Sequence, residues 1–100
     1  MSTYVLIRHR VRDYSEWKPA YDAHLPKRIE AGLIEKHLFC SANDANEVII
    51  LFEAKDIGRA KAFFESLELR EHMGKAGVKD MPAIYFRDAQ VGTLAKPQAH

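Results

Sequence analysis

The chain has 100 residues, of which 47% are hydrophobic and 29% charged, and its formal net charge is +1. A single domain is the natural unit at this length, and the apolar content excludes a disordered chain. Charges of both signs are interspersed, which argues against a nucleic-acid or membrane-surface partner, since either needs a concentrated basic face.

The lone cysteine, Cys40, excludes an internal disulfide and fits a reducing compartment. Met1-Ser2-Thr3 runs straight into a strand pattern with no charged-then-apolar leader. No apolar run approaches the ~20 residues of a membrane span. A cytoplasmic location is expected.

Thr3 to Val11 is rich in β-branched and aromatic residues and reads as a strand. Val5, Ile7, His9 and Val11 share one face; Tyr4, Leu6, Arg8 and Arg10 share the other. Its first half is apolar on both sides, so both sides should be buried. Asp13 can cap a helix, with Glu16 at the third helical position and Ser15 as a rival cap. Tyr14, Trp17, Tyr21, Leu25 and Ile29 fall on one helical stripe. Pro19 and Pro26 lie on the opposite side, where they would bend one continuous helix around the core. Gly32 is a plausible stop.

Leu33 to Ser41 reads as a second strand, polar enough for a sheet edge. Residues 42–46 read as a turn, and Glu47 to Ala54 as a third strand, the most apolar of the chain. The short link makes the two a hairpin. Asp56 caps a second helix with Ile57, Ala60, Phe63, Phe64 and Leu67 as its buried stripe. Ser66 then caps a short third helix to Ala76, with Gly77 as a left-handed stop and Val78 reaching back to Met73. Met81 to Arg87 is the last strand, at an edge or starting at Pro82. Residues 89–100 lack periodicity and read as a tail to a domain of residues 1–88.

This order is β-α-β-β-α-β. Right-handed crossovers turn it into an α+β, ferredoxin-like sandwich, with one four-stranded antiparallel sheet and the helices on one face. The first and third strands take the centre. Several large apolar side chains are left on the uncovered face, more than a soluble monomer usually exposes. A homodimer through the sheet faces is expected.

Chemistry is less constrained. Trp17, Tyr21, His24 and Arg28 follow 4-3-4 spacing and share one flank of the first helix. His9 sits on a strand face that this helix could cover. Together they offer aromatic walls for a planar ligand and imidazoles that move protons near neutral pH. The plainer alternative makes Trp17 and Tyr21 core, His24 a rim residue tied to Asp22, Arg28 or backbone, and His9 a satisfied core histidine. The histidines show no paired metal-ligand spacing. No glycine-rich loop implies a nucleotide, so no cofactor is expected. Cys40 reads as a small buried apolar group. Arg8 and Arg10 could bind an acidic ligand, but pairing with Glu35 or Glu53 near the strand ends, or a place in solvent, is the expected arrangement.

The run His9-x-Val11-x-Asp13-Tyr14-x-x-Trp17-Lys18-x-x-Tyr21-Asp22-x-His24 carries a resemblance. So do Asp44-Ala45-Asn46-Glu47-Val48 and Ser66-x-Glu68-Leu69-x-x-x-Met73-x-x-Ala76-Gly77-Val78. Together they resemble the dimeric α/β-barrel superfamily, in particular the small antibiotic biosynthesis monooxygenase-like proteins. The resemblance implies a dimer, a pocket between helices and sheet, and in some relatives cofactor-free oxidation or cyclisation of aromatic polyketides. Other relatives degrade haem with an Asn, a Trp and a His, a set that does not map onto matching positions here. The expected function is a monooxygenase or cyclase acting on an aromatic or polyketide-like molecule. His24 or His9 would be the base, while Trp17, Tyr21 and Arg28 would hold the substrate. The alternative is a non-catalytic ligand-binding or assembly module of the same fold.

Overall fold

A computed structural model describes residues 3–78 and 82–88. Among them lie strands β1 (Thr3–Arg10), β2 (Leu33–Ser41), β3 (Asp44–Ala54) and β4 (Ala83–Asp88), and helices α1 (Tyr14–Ala23), α2 (Leu25–Glu30), α3 (Ile57–Glu65) and α4 (Leu67–Lys75). The strands form one sheet in the order β2-β3-β1-β4, antiparallel at every pairing. This is the ferredoxin-like arrangement, with the two most apolar strands at the centre. Alternation along β1 sends Val5, Ile7 and His9 inward. Val5, Val11, Val48, Ile50 and Phe52 are the largest side chains cut off completely from solvent. No helix among the described residues is long and apolar enough to cross a membrane.

The expected single helix after β1 is two helices. Asp13 caps α1, its carboxylate accepting the Ser15 N–H at 2.9 Å. Glu16 does not complete a capping box, because its carboxylate takes the Arg12 guanidinium at 2.7 Å instead. The chain leaves α1 at His24, and α2 starts with Pro26 in its first turn. A proline there has no N–H for the carbonyl four residues back, and its ring clashes with that carbonyl. The break also resets the helical phase. Leu25 and Ile29, expected in the core, are exposed, and Arg28 turns inward in their place, only 6% exposed. Gly32, at φ +77°, ends α2 in the left-handed conformation that glycine reaches without strain.

The β2–β3 hairpin turns at Ala42-Asn43, so β3 begins at Asp44, three residues before the apolar run. A bulge at Lys36 splits β2. Glu35 lies opposite Phe52 on the helix side, while His37 lies opposite Leu51 on the outer side. Arg8 therefore pairs with Glu47 rather than with Glu35, and Lys36 takes Glu53 at 3.8 Å. Cys40 is exposed on this edge strand, contrary to the expected burial.

Asp56 and Ser66 cap α3 and α4, their side-chain oxygens accepting the Arg59 and Leu69 N–H groups. Ile57 and Leu67 each fall at the first position of a helix and face solvent instead of the core. The stop after α4 matches expectation. Gly77 sits at φ +90°, and the Val78 N–H donates to the Met73 carbonyl at 2.9 Å. Pro82 directly precedes β4; Met81 and the expected tail of residues 89–100 lie outside the described residues.

The helices cover one face of the sheet. On the other, Leu6 lies between Leu51 and Tyr85, and Ile49 lies opposite Phe39. Leu6, Ile34, Phe39 and Tyr85 are exposed, and Ile49 and Leu51 partly so.

Asn46 ties this layer to α1. Its side-chain oxygen accepts the Tyr14 N–H at 2.8 Å, and its carbonyl accepts the Val11 N–H at 2.8 Å. Asn46→Ala should cost about 1–2 kcal/mol in urea denaturation, because a first-turn N–H loses its acceptor. Asn46→Asp, which keeps an acceptor, should recover most of that loss.

Candidate functional site

The break at His24 opens a narrow cavity of about 50 Å³ between the helices and the inner face of the sheet. Ile7, Ile50 and Phe52 form its floor, and Phe63, Phe64, Leu69 and Met73 of α3 and α4 its far wall. His9, Trp17, Tyr21, His24 and Arg28, the five residues singled out from sequence spacing, all line it. The volume holds a few water molecules, since one needs roughly 10–15 Å³. It lies well below the ~300–1,000 Å³ of pockets for drug-sized ligands.

Three of the five form a stack. Trp17 lies against Tyr21 with ring centroids 4.7 Å apart, and the Arg28 guanidinium sits 3.7 Å from the Tyr21 ring centroid. Arg28 Nη1 donates to the Tyr21 carbonyl at 2.6 Å, at the point where α1 ends. The Tyr21 hydroxyl is committed to Glu35, donating to Oε1 at 2.5 Å. Burial, with the Glu35 carboxylate adding to it, raises the phenol above its ordinary pKa, so Tyr21 stays protonated. It contributes a ring face rather than a free hydroxyl.

His9 is 7% exposed and meets Trp17 edge-on at 5.6 Å. Neither ring nitrogen has a hydrogen-bond partner among the described residues. Burial in these apolar surroundings lowers its pKa to about 4, so it is neutral at pH 7. A buried imidazole without partners is costly, and such groups mark places where a water or ligand completes the bonding.

His24 is not tied to Asp22, whose carboxylate takes Lys18 at 2.7 Å. Its imidazole stacks on His72 of α4 with centroids 3.9 Å apart and an interplanar angle of 13°, and on Phe63 at 5.9 Å. Both imidazoles have lowered pKa values. Burial is the first cause in each; His72 and Arg28 add repulsion at His24, whereas at His72 a hydrogen bond to the Ala20 backbone works against the lowering and Arg28 adds to it. Both are therefore kept neutral near pH 7 and able to accept a proton. Sequence reasoning missed His72 as a lining residue. Its signal was present: Leu69, His72, Met73 and Ala76 follow i, i+3, i+4, i+7 spacing and give α4 an inward stripe. Among the described residues, no cluster of three or more His, Cys, Asp or Glu is placed to hold a metal ion.

Comparison with solved structures places the fold. An antibiotic biosynthesis monooxygenase matches with a TM-score of 0.65 at 14% identity, over 88% of this chain and 98% of that one. SnoaB, a cofactor-independent oxygenase from Streptomyces nogalater, matches with a TM-score of 0.66 at 9% identity, over 91% of this chain and 97% of that one. A conserved protein from Methanosarcina mazei Go1 matches at 0.69 and 14% identity, over 90% and 94%. The chain has the ferredoxin-like fold of antibiotic biosynthesis monooxygenase structures. No protein-family model matches the sequence, and no curated protein matches it.

The His9 environment makes stability depend on pH. The folded-state pKa of about 4 lies below the ordinary 6.5, so the unfolded chain binds the extra proton between those values. Stability from this group is full above pH 6.5 and falls as pH drops toward 4, by up to about 3 kcal/mol. In urea denaturation at pH 7 and pH 4.5, His9→Leu should lose about 2 kcal/mol less than the parent on acidification. Equal losses would place His9 in water.

Proposed function

We propose that this protein is a small-molecule enzyme of the antibiotic biosynthesis monooxygenase type, acting without a cofactor on an aromatic or polyketide-like substrate. The observation that carries this reading is the convergence of two neutral imidazoles, His24 and His9, with the Trp17–Tyr21–Arg28 stack on one apolar cavity. The fold shared with SnoaB, a cofactor-independent oxygenase, agrees with it.

His24 is the base. A base works best with a pKa near the operating pH. His9, at about 4, is too weak for that task and instead hydrogen-bonds the ligand with its unpartnered nitrogens. His24 takes the acidic proton of an electron-rich phenolic substrate. The resulting carbanion adds dioxygen, the His24 imidazolium returns its proton to the peroxide, and loss of water, which takes the hydrogen from the same carbon and breaks the O–O bond, leaves a carbonyl. Trp17 and Tyr21 hold the ring by stacking, and Arg28 sits beside the anion. At about 50 Å³ the cavity is smaller than the ~150 Å³ void that takes up benzene, so a ring enters only as the lining side chains shift apart. A non-catalytic ligand-binding module is the second reading, favoured by that narrowness and by the packing of Trp17 and Tyr21; it predicts binding without turnover.

We further propose that the chain works as a homodimer with outer sheet faces paired. Burying Leu6, Ile49, Leu51, Phe39 and Tyr85 stabilises such a pair by about 1.5–3 kcal/mol for each side chain fully covered. A cytoplasmic setting is part of the same proposal, supported by the single cysteine, which can form no internal disulfide.

His24→Ala should reduce oxygen uptake with a panel of electron-rich phenols by about a hundredfold or more; unchanged turnover removes His24 from the mechanism. Light scattering at micromolar concentration should report twice the chain mass for the parent and a folded monomer for Leu6→Glu. A monomeric parent would refute the pairing.

A further inference from the structure

The charge inside the cavity narrows what it can take. Among its described lining residues are one guanidinium and three imidazoles, and no carboxylate. Arg28 is 6% exposed. Its guanidinium makes one hydrogen bond among the described residues, to the Tyr21 carbonyl, and no ion pair. Glu35 and Asp22 act on Arg28 through their charges, but Glu35 is engaged by the Tyr21 hydroxyl and Asp22 by Lys18, and neither lines the cavity. Glu68, which acts on His24 through its charge, lines a surface groove between α2, α3 and α4 instead. A buried cation with no carboxylate at ion-pair distance is expensive. A guanidinium still offers donors in a fork that matches a planar anionic group.

We propose that the ligand of this cavity is a small planar organic anion, an aromatic ring bearing a conjugated carboxylate or phenolate-type oxygen, whose charge rests on Arg28 while its ring lies along Trp17. This rests on the functional reading above and adds the substrate class. His9, 7% exposed with both nitrogens unpartnered, supplies a second donor from the sheet side. The apolar walls reject hydrated inorganic anions, because those would have to shed water against Phe63, Phe64 and Ile50. Repulsion of protons on His24 and His72 by Arg28 agrees with a positive interior.

Trp17 is the only tryptophan in the chain and lines the cavity, so its fluorescence reports occupancy directly. Benzoate and benzamide differ in charge and hardly in shape. Titrated into the intact protein at pH 7, benzoate should quench Trp17 with a Kd at least about tenfold below that of benzamide, as expected when a charged hydrogen-bond pair is gained. Arg28→Met, which keeps the stem over Tyr21 and removes the fork, should abolish the preference. Equal or tighter binding of benzamide, or no quenching by either, overturns the proposal. So does a preference that survives in a folded Arg28→Met. If that variant does not fold by circular dichroism, the comparison on the parent decides alone. Turnover of phenols without any preference for benzoate would sink this inference and leave the proposed function standing. Benzoate binding without turnover of any phenol would do the reverse.

Discussion

The site depends on one backbone constraint: the helix after β1 cannot pass Pro26. Lacking an N–H and crowding the carbonyl four residues earlier, Pro26 ends α1 at His24 and starts α2 afresh. Three consequences follow. The carbonyl of Tyr21 accepts the Arg28 guanidinium, the phase shift turns Arg28 inward and Ile29 outward, and His24 swings against His72 of α4. An unbroken helix would bury Leu25 and Ile29 and fill the space with aliphatic carbon.

The cavity runs against the interest of stability. Apolar residues in place of His9 and Arg28 would avoid two desolvation costs of several kcal/mol. Perturbed titratable groups gathered in one cleft point to a functional site, and here three lowered imidazoles share the cavity with a buried guanidinium. The sheet separates this half of the molecule from the other. Its inner face carries the chemistry, and its outer face, with Leu6 flanked by Leu51 and Tyr85, presents the apolar area on which the proposed pairing rests.

Most of the fold was legible because local signals agreed with one another. The β-branched and apolar runs of β1 and β3, the caps Asp13, Asp56 and Ser66, and the stop at Gly77 all point to the same element order, and the structure follows it. The lining role of Trp17, Tyr21, His24, Arg28 and His9 was legible from helical and strand periodicity. What failed has local causes. Treating Pro26 as a bend rather than a break kept Leu25 and Ile29 in the stripe. Counting Ile57 and Leu67 in the core ignored that first-turn residues splay away from the packed face. The Lys36 bulge, which sends Glu35 to Tyr21, has no sequence signature among ordinary strand residues. His72 was passed over although it shares an inward stripe with Leu69, Met73 and Ala76; only its stacking on His24, across two helices, is invisible to spacing.

The site exists only if the cavity interior is as enclosed and as positive as these contacts make it. Long-range ¹⁵N NMR of the histidine rings, followed from pH 8 to pH 4, reads this directly. One imidazole, assigned to His9 by its loss in His9→Leu, should stay neutral down to about pH 4, and His24 and His72 should titrate below the ordinary 6.5. Titration of His9 near 6.5 would mean that water reaches the ring freely, and the enclosed site described here would not exist.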